Sequence, residues 1–152
     1  DERGWKGHFF ITTGRIGTEG FVDGADLVEL HKRGHIIGSH SDTHPLRMAA
    51  LSRKELDEEW GSSVGKLSDI LGEKISVASV PGGFYSNDVR ASALENGITY
   101  LFNSEPKLTI RQKDDGFVLG RYAVTTRLNT QDVCSIAAGK QAPRIKQSVA
   151  WT

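Results

Sequence analysis

Apolar and polar positions switch between two periods along the chain, and this switching predicts an α/β domain. Residues 7–12 are strongly β-prone and form the first predicted strand. A helix is predicted to start near Asp23 and to end at Gly34. Its apolar side is predicted to consist of Leu27, Val28, Leu30 and His31. The apolar run at 35–39 follows as a second strand. Strands and helices that alternate in this way are typical of a sheet with mostly parallel strands.

The clearest helix begins at a capping box, in which the Ser52 hydroxyl and the Glu55 carboxylate each bond a backbone N–H of the other residue. Apolar side chains then recur at spacings of three and four, which predicts a helix as far as Leu71. The residues of this stripe are Leu56, Trp60, Val64, Leu67 and Leu71. Trp60 is predicted to fill the core rather than to form a sugar platform, because large aromatic side chains dominate core burial.

The second half of the chain continues the same alternation. The predicted strands lie at 75–80, 98–102 and 117–124, and a polar segment lies at 105–116. One helix is predicted to be capped by Ser86 or Asn87 and to run through Leu94, and a last helix is predicted to be capped by Thr130 and to run through Ala138. The tail at 140–152 carries Pro143 and scattered charge, which predicts a loosely packed or partly extended segment. Residues 1–139 are therefore predicted to form one domain.

Composition narrows the possible functions. The chain has 152 residues, and its 19 basic residues balance 19 acidic ones, so it lacks the electrostatic footprint of a nucleic-acid or anionic-membrane binder. No apolar stretch approaches the ~20 residues that a membrane span needs. The single cysteine, Cys134, excludes an internal disulfide, and its apolar neighbours predict a small buried side chain rather than a nucleophile.

Two histidines, His40 and His44, follow the second predicted strand, where α/β sheets place their chemistry. Pro45 favours an extended conformation at His44, and a bend beside it can bring both imidazoles onto one divalent ion such as zinc. A catalytic zinc usually has three protein ligands, so a further ligand, preferably a carboxylate, is required. Asp42 is the nearest carboxylate, but in an extended segment it faces away from both histidines.

Other interpretations of this region remain open or are disfavoured. The two histidines can also be loop residues that only form local hydrogen bonds. Serine catalysis by Ser39 or Ser41 beside His40 is disfavoured, because neighbours in an extended segment face opposite ways and no third orienting group follows. The glycines in the loop at 13–20 lack the spacing and the Lys-Ser/Thr sequence of a phosphate loop.

A second candidate loop reads Pro81-Gly82-Gly83 at the end of the strand predicted at 75–80. A backbone N–H in a tight, unobstructed turn can stabilise a developing oxyanion. Glycine and proline also dominate ordinary turns for conformational reasons, so a turn without a chemical role is the alternative.

Three segments together resemble the polysaccharide deacetylases, also called NodB-homology proteins or family-four carbohydrate esterases. They are the strand at 7–12, the segment from Asp26 through the run His-Ile-Ile-Gly-Ser-His-Ser-Asp-Thr-His-Pro at 35–45, and the turn Pro-Gly-Gly-Phe-Tyr-Ser at 81–86. They occur in the order that this family shows. The resemblance covers most of residues 7–139.

The resemblance implies a deformed (β/α) barrel and a divalent metal, with zinc as the leading candidate, held by His40 and His44 together with one aspartate. It implies removal of N-linked acetyl groups from an amino-sugar polymer, and it favours an extracellular or cell-envelope location. The backbone N–H of Gly82 would help to hold the oxyanion. The implied substrate-binding residues are Pro81, Gly83 and Tyr85.

The chain also departs from the family pattern. The first motif of the family, Thr-Phe-Asp-Asp, supplies the catalytic base and the metal-binding aspartate, and it is absent because the chain begins after the strand that carries it. Ser79 occupies the position of the arginine in the third motif, and Arg121 is a candidate to replace its charge. No histidine follows His44, so the general acid is missing as well.

We therefore expect a deacetylase domain that lacks its first strand and helix and is inactive or nearly so, since losing the base and the acid each costs on the order of 10² to 10⁴ in rate. The rival hypothesis is a non-catalytic module on the same scaffold that binds carbohydrate or a partner protein. Deacylation of a small amide is a more distant alternative, which a closed pocket would favour. Exposed sheet edges would also permit pairing with a second copy.

Overall fold

The computed structural model describes residues 3–126 and 128–140, which form one mixed sheet and the helices that cover it. The strands are β1 (His8–Ile11), β2 (Ile36–Ser39), β3 (Val77–Ser79), β4 (Tyr100–Phe102), β5 (Arg111–Lys113) and β6 (Gly116–Leu119). The α-helices are α1 (Gly24–Lys32), α2 (Arg53–Leu71), α3 (Asn87–Glu95) and α4 (Thr130–Ala137). Short 3₁₀ turns lie at Thr13–Arg15, Met48–Ala50 and Pro81–Gly83.

The sheet has the strand order β1-β2-β3-β4-β6-β5. All neighbouring strands are parallel except β5, which pairs antiparallel with β6. His8 of β1 is in register with Ile36 of β2, and Ser79 of β3 is in register with Phe102 of β4. The carboxyl ends of β1 to β4 therefore meet at one edge of the sheet.

Local signals fix the helix boundaries. Asp23 and Ser52 are the N-caps of α1 and α2, and each forms a capping box with the residue three positions later. Gly72 ends α2 in the left-handed conformation, with φ of 72°. Both predicted helices are confirmed. Among the described residues, none of the helices combines the length and the apolar character that crossing a bilayer requires.

Helix α2 supplies apolar side chains to two core clusters on the helix-covered face of the sheet. Trp60 is fully buried and packs with Val89 of α3 and Leu101 of β4, which confirms the prediction that it fills the core. Leu67 packs with Leu27 of α1 in the second cluster, which also holds Ile37 and Ile75. Because both clusters rest on α2, this helix fixes the sheet and its covering layer relative to each other.

The opposite face of the sheet is lined with aromatic side chains. The ring of Phe102 lies 5.7 Å from that of His8 and 5.3 Å from that of Phe10, and the rings of Tyr100 and Phe117 stack at 5.3 Å. Tyr100 remains 43% exposed, so this face is partly open to solvent.

Several predictions about individual segments are wrong. The polar segment at 105–116 contains β5, which forms a hairpin with β6, and β6 ends at Leu119 rather than at residue 124. Cys134 is exposed on α4, because the apolar contacts of this helix are made through Ile136. Beyond Lys140, the predicted tail lies outside the described residues.

Candidate metal centre

The histidine pair lies at the edge where the parallel strands end. His40 directly follows β2, and its backbone N–H donates to the carbonyl oxygen of Ile11 at the end of β1, at 2.8 Å. Its ring Nδ1 lies 2.7 Å from the carbonyl oxygen of Ser79 at the end of β3. Three neighbouring strands thus determine where the His40 ring sits.

The rings of His40 and His44 converge. Their centroids are 5.0 Å apart with an interplanar angle of 67°. Because a carbonyl oxygen only accepts hydrogen bonds, Nδ1 of His40 carries the proton and donates to Ser79, which leaves the lone pair of Nε2 available. This is how metal-bound imidazoles are commonly oriented in proteins.

The backbone at His44 differs from the prediction. His44 has φ of 60°, and Ser41 has φ of 63°, so both residues adopt a left-handed backbone conformation that residues other than glycine rarely take. The prediction of an extended His44 before Pro45 is wrong. The His44 N–H donates to the Ser41 hydroxyl at 3.0 Å, and this bond closes the turn that directs both rings to the same side.

The protonation state of His40 suits a metal ligand. Burial lowers the pKa of His40 below its ordinary value of 6.5, the hydrogen bond to Ser79 opposes this, and the charges of His44 and Arg121 lower the pKa further. Neutral imidazole is therefore favoured near neutral pH, and neutral imidazole is the form that binds zinc.

Asp42 does not join the two histidines. Its Oδ1 atom accepts hydrogen bonds from the Thr13 hydroxyl at 2.6 Å and from Lys66 Nζ at 2.7 Å. Partial burial acts to raise the pKa of Asp42, but the bonds from Lys66 and Thr13 hold it below the ordinary value of 3.8. Within residues 3–126 and 128–140, no group of three or more His, Cys, Asp or Glu side chains could hold a metal ion.

The turn at 81–83 lies beside the same edge. Gly82 and Gly83 have φ of 59° and 75°, a conformation that glycine adopts without strain. The Gly83 N–H donates to the carbonyl oxygen of Val80 at 3.0 Å. The N–H of the exposed Gly82 has no acceptor among the described residues. A Cβ atom at Gly82 would lie 3.8 Å from the Leu46 carbonyl oxygen, just beyond the histidine turn.

The other predicted substrate residues surround this turn. Pro81 is fully buried, Gly83 is half-buried, and Tyr85 is partly buried against the larger core cluster. Burial raises the pKa of the Tyr85 hydroxyl. Substrate contacts of Pro81, Gly83 and Tyr85, and the oxyanion role of Gly82, stay predictions.

Comparison with known families decides the classification. The sequence profile of the family described as polysaccharide deacetylase matches residues 1–101, which is about two thirds of the chain and includes both histidines and the turn at 81–83. The chain belongs to the polysaccharide deacetylase family. The resemblance inferred from the sequence is thereby confirmed.

Solved structures support the deacetylase fold. A polysaccharide deacetylase from Bacillus cereus superposes with a TM-score of 0.75 at 16% identity, over 86% of this chain and 41% of that one. A deacetylase from Streptococcus pyogenes, solved in complex with acetate, gives 0.75 at 15% identity over 89% and 60% of the two chains. A de-N-acetylase from Aggregatibacter actinomycetemcomitans gives 0.76 at 15% identity over 89% and 66%.

These likenesses show the fold, and they confirm the predicted α/β class of the deacetylase type. The chain spans 41% to 66% of the length of these three solved proteins. No curated protein matches the chain.

Sequence reasoning missed the polar residues of α2 that hold the histidine turn. The Glu59 carboxylate accepts hydrogen bonds from the backbone of Asp42 and Thr43, and the Ser63 hydroxyl bonds the Ser39 hydroxyl at 2.7 Å. Lys66 is the third such residue, and its Nζ donates to the Asp42 carboxylate at 2.7 Å. The available signal was their spacing, since positions 59, 63 and 66 lie on one helix face beside the apolar stripe.

Arg121 lies outside the matched region but within electrostatic range of His40. Its guanidinium donates to the carbonyl oxygen of Asn103 at 3.0 Å and lies 5.9 Å from the ring centroid of Phe10. Its charge lowers the pKa of His40, which places it within electrostatic range of the candidate site. Ser79, which the resemblance predicts to occupy the position of the family's arginine, is fully buried, and its hydroxyl has no partner among the described residues.

Proposed function

We propose that this chain carries the histidine ligands of a metal-dependent hydrolase that removes N-linked acetyl groups from an amino-sugar polysaccharide. The observation that supports this most directly is the convergence of His40 and His44, with ring centroids 5.0 Å apart, at the carboxyl ends of parallel strands in a polysaccharide deacetylase fold. Strand ends of this kind are where α/β folds position reactive groups.

The donor set fits a borderline divalent metal, and zinc is the leading candidate. His40 is held neutral by burial and oriented by Ser79, and His44 faces it from the turn, so two ligand positions are supplied. A bound zinc ion would polarise an acetyl carbonyl and lower the pKa of water. We assign the third ligand to no described residue.

Other residues of the chain have proposed roles around the histidine pair. The Gly82 N–H, which has no acceptor among the described residues, would donate to the oxygen that gains negative charge in the transition state. Pro81, Gly83 and Tyr85 would shape the surface that the sugar contacts. Arg121 would contribute positive charge near His40 in place of the arginine that Ser79 replaces.

Metal binding is the first test of the proposal. Isothermal titration with zinc would compare the unaltered chain with His40→Ala and His44→Ala, and with His31→Ala as a matched control. His31 lies on the surface of α1 beside Glu73, away from the site. We expect both site variants to lose zinc binding and the control to retain it. Equal zinc affinity in all four proteins would refute the metal site.

Acetate release separates an enzyme from a binding module. Chito-oligosaccharides would be incubated with the zinc-loaded chain, with and without formate as an external base. We expect slow release that formate accelerates, because formate can replace a general base that we assign to no described residue. Binding of zinc and sugar without acetate under either condition would favour the non-catalytic module.

We also propose a cellular location, which follows from the proposed polymeric substrate. An extracellular or cell-envelope location fits an enzyme that acts on amino-sugar polymers, and fractionation of cells that produce the protein would test it. Recovery of the protein only from the cytosolic fraction would contradict this location.

A further inference from the structure

One face of α2 contacts the segment around the two histidines at Ser39, Asp42 and Thr43. Glu59, Ser63 and Lys66 are spaced four and three residues apart, so they follow one another along the helix. Ser63 bonds the Ser39 hydroxyl, and Lys66 bonds the Asp42 carboxylate. Glu59 lies at the amino-terminal end of this row and accepts hydrogen bonds from both Asp42 and Thr43.

Both carboxylate oxygens of Glu59 are engaged with the histidine turn. Oε2 accepts hydrogen bonds from the backbone N–H groups of Asp42 and Thr43, each at 2.9 Å, and Oε1 accepts from the Thr43 hydroxyl at 2.5 Å. Hydrogen bonds to an ionised acceptor are about twice as strong as neutral ones. Glu59 thus binds the two residues in the middle of the His40-to-His44 segment.

The backbone of this segment needs such support. Ser41 and His44 both have positive φ, which is unfavourable for residues with a side chain, and Asp42 and Thr43 lie between them. Without the Glu59 carboxylate as acceptor, the N–H groups of Asp42 and Thr43 would favour a relaxed turn, in which Ser41 and His44 return to negative φ. A relaxed turn would turn the His44 ring away from His40, whose own position is fixed by Ser79 and Ile11.

We propose that Glu59 is a positioning residue that preorganises the His40–His44 turn for a divalent metal by binding the backbone N–H groups of Asp42 and Thr43. This inference rests on the proposed function for the identity of what the turn holds. The geometry that Glu59 imposes on the turn is independent of metal.

Zinc affinity measures the consequence of this role. Glu59→Ala should weaken zinc binding by about 10- to 100-fold, the range typical of residues that support metal ligands. Glu59→Gln should restore most of the affinity, because its carbonyl oxygen still accepts the two N–H bonds. Glu58→Ala is the matched control, since Glu58 is the adjacent residue, is exposed and pairs with Lys54 at 3.7 Å.

Two outcomes of the zinc experiment have opposite meanings. Loss of affinity in Glu59→Ala with rescue in Glu59→Gln supports a positioning role, provided that thermal unfolding of all variants stays close to that of the unaltered chain. Equal zinc affinity in Glu59→Ala and Glu58→Ala overturns the inference. If Glu59→Ala does not fold, Thr43→Val replaces it, because it removes only the Oε1 bond and should weaken binding by a smaller factor.

Amide hydrogen exchange in the metal-free chain provides a readout that does not depend on the proposed function. The N–H groups of Asp42 and Thr43 should exchange about tenfold faster or more in Glu59→Ala, while those of α2 stay unchanged. Unchanged exchange at Asp42 and Thr43 would overturn the inference whatever the zinc data show. If the unaltered chain binds no zinc, the proposed metal site fails, and the exchange rates still decide whether Glu59 holds the turn.

Discussion

The Nδ1 atom of His40 lies 2.7 Å from the carbonyl oxygen of Ser79, so a hydrogen bond between two strand ends orients the candidate ligand. Ser79 is the last residue of β3, and His40 follows the last residue of β2. The orientation of the imidazole therefore depends on how closely these two strands approach. Changes that separate β2 from β3 should disturb the site as well as the fold.

Gly38→Ala is the sharpest test of this dependence. A Cβ atom at Gly38 would lie 2.7 Å from the backbone oxygen of Val77 in β3 and 2.9 Å from the Phe10 ring. Because a backbone oxygen cannot move aside like a flexible side chain, β2 and β3 must shift apart. We expect the free energy of unfolding to fall by about 1–3 kcal/mol, as for other overpacked sites. Urea denaturation measures this loss of unfolding free energy, and the zinc affinity of the variant should fall as well.

Gly65→Ala is the control for Gly38→Ala, because it adds the same methyl group at a site with open space. Gly65 lies within α2, and a Cβ atom there would meet nothing within 4 Å. Alanine should raise the free energy of unfolding by about 0.5–1 kcal/mol, because glycine loses more backbone entropy in a helix. The same urea experiment measures this, and a destabilised Gly65→Ala would contradict the packing around α2.

Trp60→Ala should cause a large loss of stability. Trp60 is fully buried, and its Nε1 donates to the Val89 carbonyl oxygen at 3.3 Å. Removing a buried tryptophan typically costs about 3–5 kcal/mol in unfolding free energy. Trp5→Ala is the control, since Trp5 is 75% exposed and its loss should change stability by no more than about 0.5 kcal/mol. Similar urea midpoints for the two variants would argue against this core.

Asp57→Asn should reveal a pH-dependent link between α2 and α3. Hydrogen bonds from Ser92 and then from Arg53 hold the pKa of Asp57 below its ordinary value of 3.8. A carboxylate whose pKa is lowered by folding stabilises the folded state above its unfolded pKa and loses this effect as pH falls through the folded value. The variant should thus be less stable than the unaltered chain at pH 7.

The difference in unfolding free energy between Asp57→Asn and the unaltered chain should shrink as the pH falls below about 3.8 and Asp57 becomes protonated. Urea midpoints measured across this range would test the sign of the effect. A stability difference that stays constant from neutral to acidic pH would show that the Asp57 charge is not responsible.

Cys134 should react readily in the folded protein. Its side chain is exposed on α4, so a thiol reagent such as dithionitrobenzoate should modify the folded and the urea-unfolded chain at similar rates. Strong protection in the folded state would instead support the burial that the apolar neighbours of Cys134 suggest.

The sequence alone determined the parts of this protein that depend on neighbouring residues. The capping box of Ser52 and Glu55 and the end of α2 before Gly72 follow from contacts within a few positions. The alternation of strands and helices gave the parallel sheet, and the positions of His40 and His44 after a strand gave the candidate site. The signals behind these predictions are local, because the conformation and periodicity of each helix or strand are encoded over short stretches.

Only the tertiary structure decided how the candidate site is held. Pro45 favours an extended His44, yet hydrogen bonds from the turn to the Ser41 hydroxyl and to Glu59 stabilise a left-handed conformation instead. Glu59 contacts residues 16 and 17 positions away, and Ser79 contacts a ring 39 positions away. No local pattern specifies such pairs, because they arise only when α2 and β3 pack beside the end of β2.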